Sequence, residues 1–209
     1  MYNLGDHLKI DKKRAKANDK NIIKGEKFRF TVLTERLIRL EYNDKGVFVD
    51  DPTELILYRD LETPKFDVID NANFVSISTS YFKLTYIKGK SFLGGKASPA
   101  NNLKVELLNT PNYWYYGHPE VRNFGVPNNL LREGGLKGKG LYSADGMASI
   151  DDSNTPILNE DGTISSNNDI RIDTYLFMYN KDFELALKDY YKITGFPALV
   201  PRYALGNWW

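Results

Sequence analysis

Phe28, Phe30 and Val32 alternate with Arg29 and Thr31, and soon after them Ile38, Leu40 and Tyr42 alternate with Arg39 and Glu41. A strand sends successive side chains to opposite faces, so this period of two marks half-buried strands with one wet face. The stretch "NDKG", Asn43 to Gly46, is a turn signal between strands. The pattern then recurs. Residues 54–69 read as short strands broken by Pro64, and "DNAN", 70–73, is another turn. Phe74 to Ile87 is the longest β segment, with Phe82, Leu84 and Tyr86 on one face and Lys83 and Thr85 on the other. "KGK", 88–90, closes it, and Val105 and Leu107 mark a further strand. Turn signals at this spacing describe an antiparallel sandwich.

The segment 109–170 has a different character, rich in Gly, Asn, Asp, Pro and Ser with aromatic clusters between them. So long an irregular stretch inside a compact domain points to a functional loop region, broken by short strands such as Met147 to Ile150. Order returns in "RIDTYLFMY", 171–179, a buried strand. One good helix follows. Asn180 or Asp182 can act as its N-cap, Phe183, Ala186, Leu187, Tyr190 and Ile193 recur at helical spacing, and Gly195 and then Pro197 provide the stop. The expected fold class is therefore all-β, an antiparallel β-sandwich with one late α-helix. Residues 1–24 read as a polar arm or edge strand, 25–195 as the sandwich domain, and 196–209 as an extended linker through Pro197 and Pro201. The closing "YALGNWW" reads as the start of a new buried strand.

The totals exclude several classes. Over 209 residues, 28 basic and 27 acidic side chains leave a net charge of +1, so no bulk field recruits nucleic acid or an anionic membrane. Without cysteine there are no disulfides and no thiolate metal sites. His7 and His118 are the only histidines, so a conventional Ser-His-Asp system would have to use one of them. The opening "MYNLGDHLKIDKKRAKANDK" lacks the apolar core of a signal peptide, and no run reaches the length of a bilayer span; a cytoplasmic location is the expectation. A homo-oligomer is compatible with the sequence. Aromatics reach 13%, with 14 Tyr and 11 Phe, which suits a β-rich core and also sugar stacking.

No complete active site is visible. Asp145, Asp151 and Asp152 lie close together in "GLYSADGMASIDDSNT", 140–155. A retaining glycosidase uses two carboxylates about 5 Å apart. Asp151 and Asp152, as neighbours on a strand, would point to opposite faces and not flank one bond. A calcium loop counted from Asp151 meets Pro156 where it needs Gly. "GGLKGKG", 134–140, lacks the phosphate-loop spacing. Ser143 and His118 suggest a hydrolase triad, but no G-x-S-x-G elbow supports it. Tyr113, Trp114, Tyr115 and Tyr116 could form a sugar platform or pack in a core or an interface.

Three stretches in register resemble one family. "FTVLTERLIRLEYNDKGVFVDDPTELILYRDL", 30–61, is similar to the opening of the glycoside hydrolase family 31 enzymes, the α-glucosidase and α-xylosidase group. "GLYSADGMASIDDS", 140–153, resembles that family's motif before its barrel, written with Ser-Arg-Asp-Gly. "DTYLFMYNKDFELALKDYYKITGFPALVPRYALGNWW", 173–209, resembles its run into the catalytic domain. The resemblance implies a galactose-mutarotase-like amino-terminal sandwich packed on a (β/α)8 barrel that carries both catalytic acids. Such a barrel needs about 250 residues, so the chain is expected to be catalytically inactive alone, ending where its barrel would begin. The implied parent is a retaining α-glycosidase acting on oligosaccharide or glycoside substrates without metal or organic cofactor. The expected partners of this chain are that substrate and its own barrel. One residue carries over by motif: Asp145, as the acid on a loop reaching the leaving-group sugar; read from the residues alone it is equally a turn acid before Gly146 with no ligand contact. Ala144 stands where the family has Arg, which leaves the positioning of that acid unassigned. The alternative is a freestanding carbohydrate-binding module built on Tyr113 to Tyr116.

Overall fold

The two alternating runs form strands that pair with each other, Phe30 opposite Leu40 and Val32 opposite Ile38. The computed structural model describes residues 10–125, 138–167, 171–197 and 199–205. Numbered along the chain, its strands are Ile22–Lys24 (β1), Phe28–Val32 (β2), Leu37–Tyr42 (β3), Asp67–Asp70 (β4), Phe74–Ser78 (β5), Phe82–Ile87 (β6), Leu103–Leu107 (β7), Tyr113–Trp114 (β8), Met147–Asp151 (β9), Ile157–Leu158 (β10), Ile164–Ser165 (β11) and Ile172–Met178 (β12). They build two five-stranded sheets, β1-β2-β3-β12-β9 and β4-β5-β6-β7-β8, in which every pairing is antiparallel. A short β10-β11 hairpin stands apart. The fold is the expected all-β sandwich with a late helix.

The first core lies between the sheets. Phe28, Phe30, Ile38, Leu40, Leu176 and Met178 from one sheet meet Val75, Phe82, Leu84, Tyr86, Val105 and Trp114 from the other. Strand β6 keeps the alternation read from its sequence, with Phe82, Leu84 and Tyr86 buried and Lys83 exposed. Rings from both layers mesh here: Phe30 stacks on Phe92 at 5.7 Å between centroids and takes the edge of Tyr86 at 5.5 Å.

The first sheet departs from the expectation of one wet face. Strand β2 is buried along its whole length, and β3 nearly so. The outer face is roofed by the helix Phe183–Thr194 (α1) and by a strap of chain that brings in Ile56 and Arg59. Residues 54–66 are therefore not the short strands expected; they run without sheet pairing, tied to the helix end by Leu57 and Tyr58 N–H groups donating to Ile193 O. Under the roof, Arg29, Thr31, Arg39, Glu41 and Asp173 are buried polar residues. Such groups survive out of water only when paired. Arg39 donates to both Asp173 oxygens at 2.8 and 2.6 Å, and Arg29 to both Glu41 oxygens at 2.6 and 2.8 Å.

Other differences are local. Phe74 to Ile87 is two strands, because Thr79 Oγ1 accepts N–H groups of Tyr81 and Phe82 and closes a turn. The charge run near the start folds into 3-10 turns at Lys12–Ala15 and Asp19–Asn21, capped by Asp11 and Asn18 side chains, before edge strand β1. Helix α1 starts at Asp182, whose carboxylate accepts the Tyr81 hydroxyl at 2.6 Å instead of capping, and it stops at Gly195 with φ +86. Beyond it, Phe196, Leu199, Val200, Tyr203 and Leu205 are exposed. His7 and the paired Trp208 and Trp209 lie outside the described residues.

Candidate functional site

Asp145 occupies a turn that the rest of the fold holds in place. Gly146 N–H closes it onto Ser143 O at 3.2 Å. Gly146 has φ +71, and a Cβ on it would stand 2.5 Å from Asn180 Cα, so only glycine fits against that backbone. Its carbonyl accepts the N–H groups of Tyr179 and Asn180 at 2.9 and 2.8 Å, which fastens the turn just beyond the end of β12. Ser143 Oγ donates to Met147 O at 2.5 Å, and the Tyr179 hydroxyl accepts Ser143 N–H while donating to Leu141 O.

A second stretch runs beside it. Ala144 N–H donates to Arg122 O at 3.0 Å, Asn123 pairs with Ser143, and Phe124 N–H donates to Tyr142 O at 2.9 Å. The Asn123 side chain locks Gly140 from both sides, donating to its carbonyl and accepting its N–H. This ladder aims a guanidinium at the turn: Arg122 Nη1 donates to Asp145 Oδ1 at 3.0 Å. Asn112 Nδ2 donates to the Asp145 carbonyl at 3.0 Å. The Asp145 side chain keeps 14% exposure and that of Arg122 keeps 61%. Among the described residues, Asp145 Oδ2 has no hydrogen-bond partner, so this oxygen is open to an incoming donor.

Glu120 forms the base of the ladder. It is buried with φ +48, a left-handed conformation rare outside glycine. Its Oε1 accepts Trp114 Nε1–H at 3.3 Å and the Ser149 hydroxyl, and Lys139 stands 3.7 Å from Oε2. His118 Nδ1 accepts the Glu120 N–H at 3.1 Å, which leaves the proton of a neutral ring on Nε2. Burial pushes the His118 pKa below its ordinary value, against the charges of Glu120 and Asp145. Tyr115 meets the His118 ring edge-on at 5.1 Å, and Tyr113 lies 6.3 Å from Tyr115.

The other sequence candidates separate. Ser143 and His118 each bond elsewhere, so no triad forms. The four aromatics divide: in β8 Trp114 is in the core and Tyr113 is exposed, while beyond the strand Tyr116 packs against the core and Tyr115 is half-buried. Asp151 is exposed and accepts Ser153 N–H at 3.0 Å, whereas Asp152 is wholly buried. Among the described residues, no group of three or more His, Asp or Glu could hold a metal ion. Part of "GGLKGKG", 134–137, lies outside the described residues. Clefts of about 510 and 610 Å³ open around Thr34, Arg36 and Lys192 and around Lys24, Arg29 and Asp50; neither reaches Asp145.

Sequence reasoning missed Arg122 and Glu120. Neither sits in a periodic run, and a left-handed glutamate leaves no sequence signal. The buried charges of the first sheet did leave one, since Arg39 and Asp173 fall on one face of strands whose other face is apolar.

No family model matches the sequence, and none of the curated proteins does. Among solved structures, the chain superposes on a glycoside hydrolase family 31 dextranase of Flavobacterium johnsoniae, determined in complex with glucose, with a TM-score of 0.51 and 14% identity. The chain shares its fold with part of a family 31 enzyme. The match covers 90% of this chain and 27% of the dextranase, so nearly all of the sandwich described above has a counterpart in a protein more than three times as long. At that identity the match speaks for the fold.

Proposed function

We propose that this chain is the amino-terminal sandwich domain of a retaining α-glycosidase of the family 31 type. It braces the catalytic barrel and lends the Asp145 turn to the subsite of the leaving-group sugar. The observation that carries the reading is the fold match over 90% of the chain to a stretch of a glycoside hydrolase. The geometry at Asp145 supports it. A carboxylate oxygen with no partner among the described residues, on a turn pinned by Gly146, Tyr179 and Asn112, is a pre-set acceptor for a sugar hydroxyl. Among the described residues no pair of acids suited to cleavage stands at this site, and the reading assigns turnover to the barrel of a longer protein.

Three measurements test this. The isolated chain should not turn over nitrophenyl α-glucoside or α-xyloside; clear turnover abolished by Asp152→Asn would overturn the reading. In the longer protein, Asp145→Ala should lower kcat/KM on oligosaccharides by about tenfold, the loss of one hydrogen bond to a charged group. Calorimetry on the isolated chain with maltose or isomaltose should show no binding. Millimolar or tighter binding that is lost in Tyr113→Ala would instead favour a freestanding sugar-binding module.

A further inference from the structure

The Asp145 turn lacks the arginine that the resembled motif carries one residue earlier, because Ala144 stands there. A guanidinium reaches the carboxylate all the same, from the opposite stretch of chain. We propose that Arg122 is the positioning residue of Asp145: it engages Oδ1 and thereby holds Oδ2 toward a sugar hydroxyl. The inference rests on the reading of Asp145 as a sugar-contacting acid.

Three observations carry it. The contact is a charge-assisted hydrogen bond of 3.0 Å from Nη1 to Oδ1, and no other described side chain bonds this carboxylate. A carboxylate on one turn has two equivalent oxygens and a free χ2, so one fixed donor decides which oxygen is left for a ligand. The donor is itself placed by the fold. The Arg122 carbonyl accepts Ala144 N–H, the next pair is Asn123 with Ser143, and Glu120 is buried two residues earlier under Trp114 and Ser149. The main chain of Arg122 is therefore fixed across from the residue preceding Asp145, and the side chain needs to reach only one position along the turn.

The pair is not there for stability. With the guanidinium 61% exposed, a surface ion pair contributes little to folding. Arg122→Ala should leave the thermal midpoint nearly unchanged, so that kinetic effects report on the site.

The experiment uses the longer protein that carries this chain and two substrates, an oligosaccharide and an aryl glycoside whose leaving group has no sugar hydroxyl. Arg122→Ala should lower kcat/KM on the oligosaccharide several-fold, by no more than Asp145→Ala does, and leave the aryl glycoside unaffected. Arg122→Lys should recover part of the loss. In the Asp145→Ala background, Arg122→Ala should add nothing, because a positioning residue has no effect once the group it positions is gone. If Asp145→Ala is impaired while Arg122→Ala matches wild type, or if the two losses multiply, the positioning role is wrong and the reading of Asp145 stands. If Asp145→Ala itself matches wild type on the oligosaccharide, that reading fails and the role of Arg122 falls with it.

Discussion

Asp151 and Asp152 are adjacent in the chain and end on opposite sides of one sheet edge. Asp151 faces solvent and holds the Ser153 N–H. Asp152 turns under the roof of the first sheet, where Thr53 Oγ1 donates to both its oxygens at 2.9 and 3.1 Å and Arg59 Nη2 stands 3.7 Å away. Asp152 therefore anchors the strap that covers the sheet, and it does so without a direct hydrogen bond from the nearest guanidinium.

That position makes Asp152 sensitive to pH. Burial, then the charge of Asp173, push its pKa from 3.8 up to about 6, against Arg59. The folded state thus holds this proton more tightly than the unfolded chain. The contribution favours the fold at pH values below the unfolded pKa and is lost as pH rises through about 6. Burial works to raise Asp50 and Asp173, but their arginines outweigh it and hold both below the ordinary value; they act in the opposite sense, so the comparison must isolate one group. Urea unfolding of wild type and Asp152→Asn should show the wild type losing ground to the variant by up to about 3 kcal/mol between about pH 4 and about pH 7. A difference that does not change with pH would contradict the assignment.

Asp173 gives the opposite expectation. It accepts two hydrogen bonds from Arg39 at 2.8 and 2.6 Å with both side chains buried, and Arg171 lies 3.8 Å away. Asp173→Asn leaves a buried guanidinium without its main counter-charge. Removing one partner of a buried pair costs about 3–5 kcal/mol, and equilibrium denaturation at neutral pH should show a loss of that size. A cost below about 1 kcal/mol would mean that water reaches the pair.

The contrast between the two sheets explains how much the sequence could say. Strand β6 reads correctly because one face meets the core and the other meets water, the condition under which period-two patterning is informative. In β2 and β3 the same period is present, but Arg29, Arg39 and Glu41 face a second buried layer. Polarity marked the face without revealing that it is roofed, since the strap over it carries no periodic signal. Asp145 could be singled out as a candidate because its motif is local in sequence. Arg122 could not, because its link to Asp145 depends on two stretches meeting across the fold.

The aromatic run Tyr113 to Tyr116 separates packing from recognition. Trp114 is 2% exposed, lies between the sheets and donates Nε1–H to Glu120. Tyr113 is 42% exposed, with the Lys104 ammonium 4.8 Å from its ring centre. Trp114→Ala should cost about 3–5 kcal/mol through the cavity it leaves. Tyr113→Ala should stay within about 1 kcal/mol. Thermal denaturation of both variants checks this, and a Tyr113 variant as damaging as the Trp114 variant would show that the outward ring is structural.

Gly146 provides the sharpest test of how the Asp145 turn is held. Its φ of +71 suits glycine, and the space where a Cβ would go is filled by the Asn180 backbone, with Cα and O each 2.5 Å away. Neither is a flexible side-chain end that can move aside. Gly146→Ala therefore combines left-handed strain with a main-chain clash at the point where Tyr179 and Asn180 N–H groups bond the Gly146 carbonyl. A left-handed non-glycine residue alone costs about 1–3 kcal/mol, and relieving the overlap adds to it. Because the relief must move the turn away from the end of β12, it also moves Asp145 relative to Arg122 and Asn112. The variant should lose at least about 2 kcal/mol of stability and, in the longer glycosidase proposed above, as much oligosaccharide activity as Asp145→Ala. Gly89→Ala is the control, since its φ of +78 carries the same backbone strain but nothing lies within 4 Å of its Cβ position. If the two alanine variants lose equal stability, the Asn180 contact contributes nothing and the turn is held by its hydrogen bonds alone.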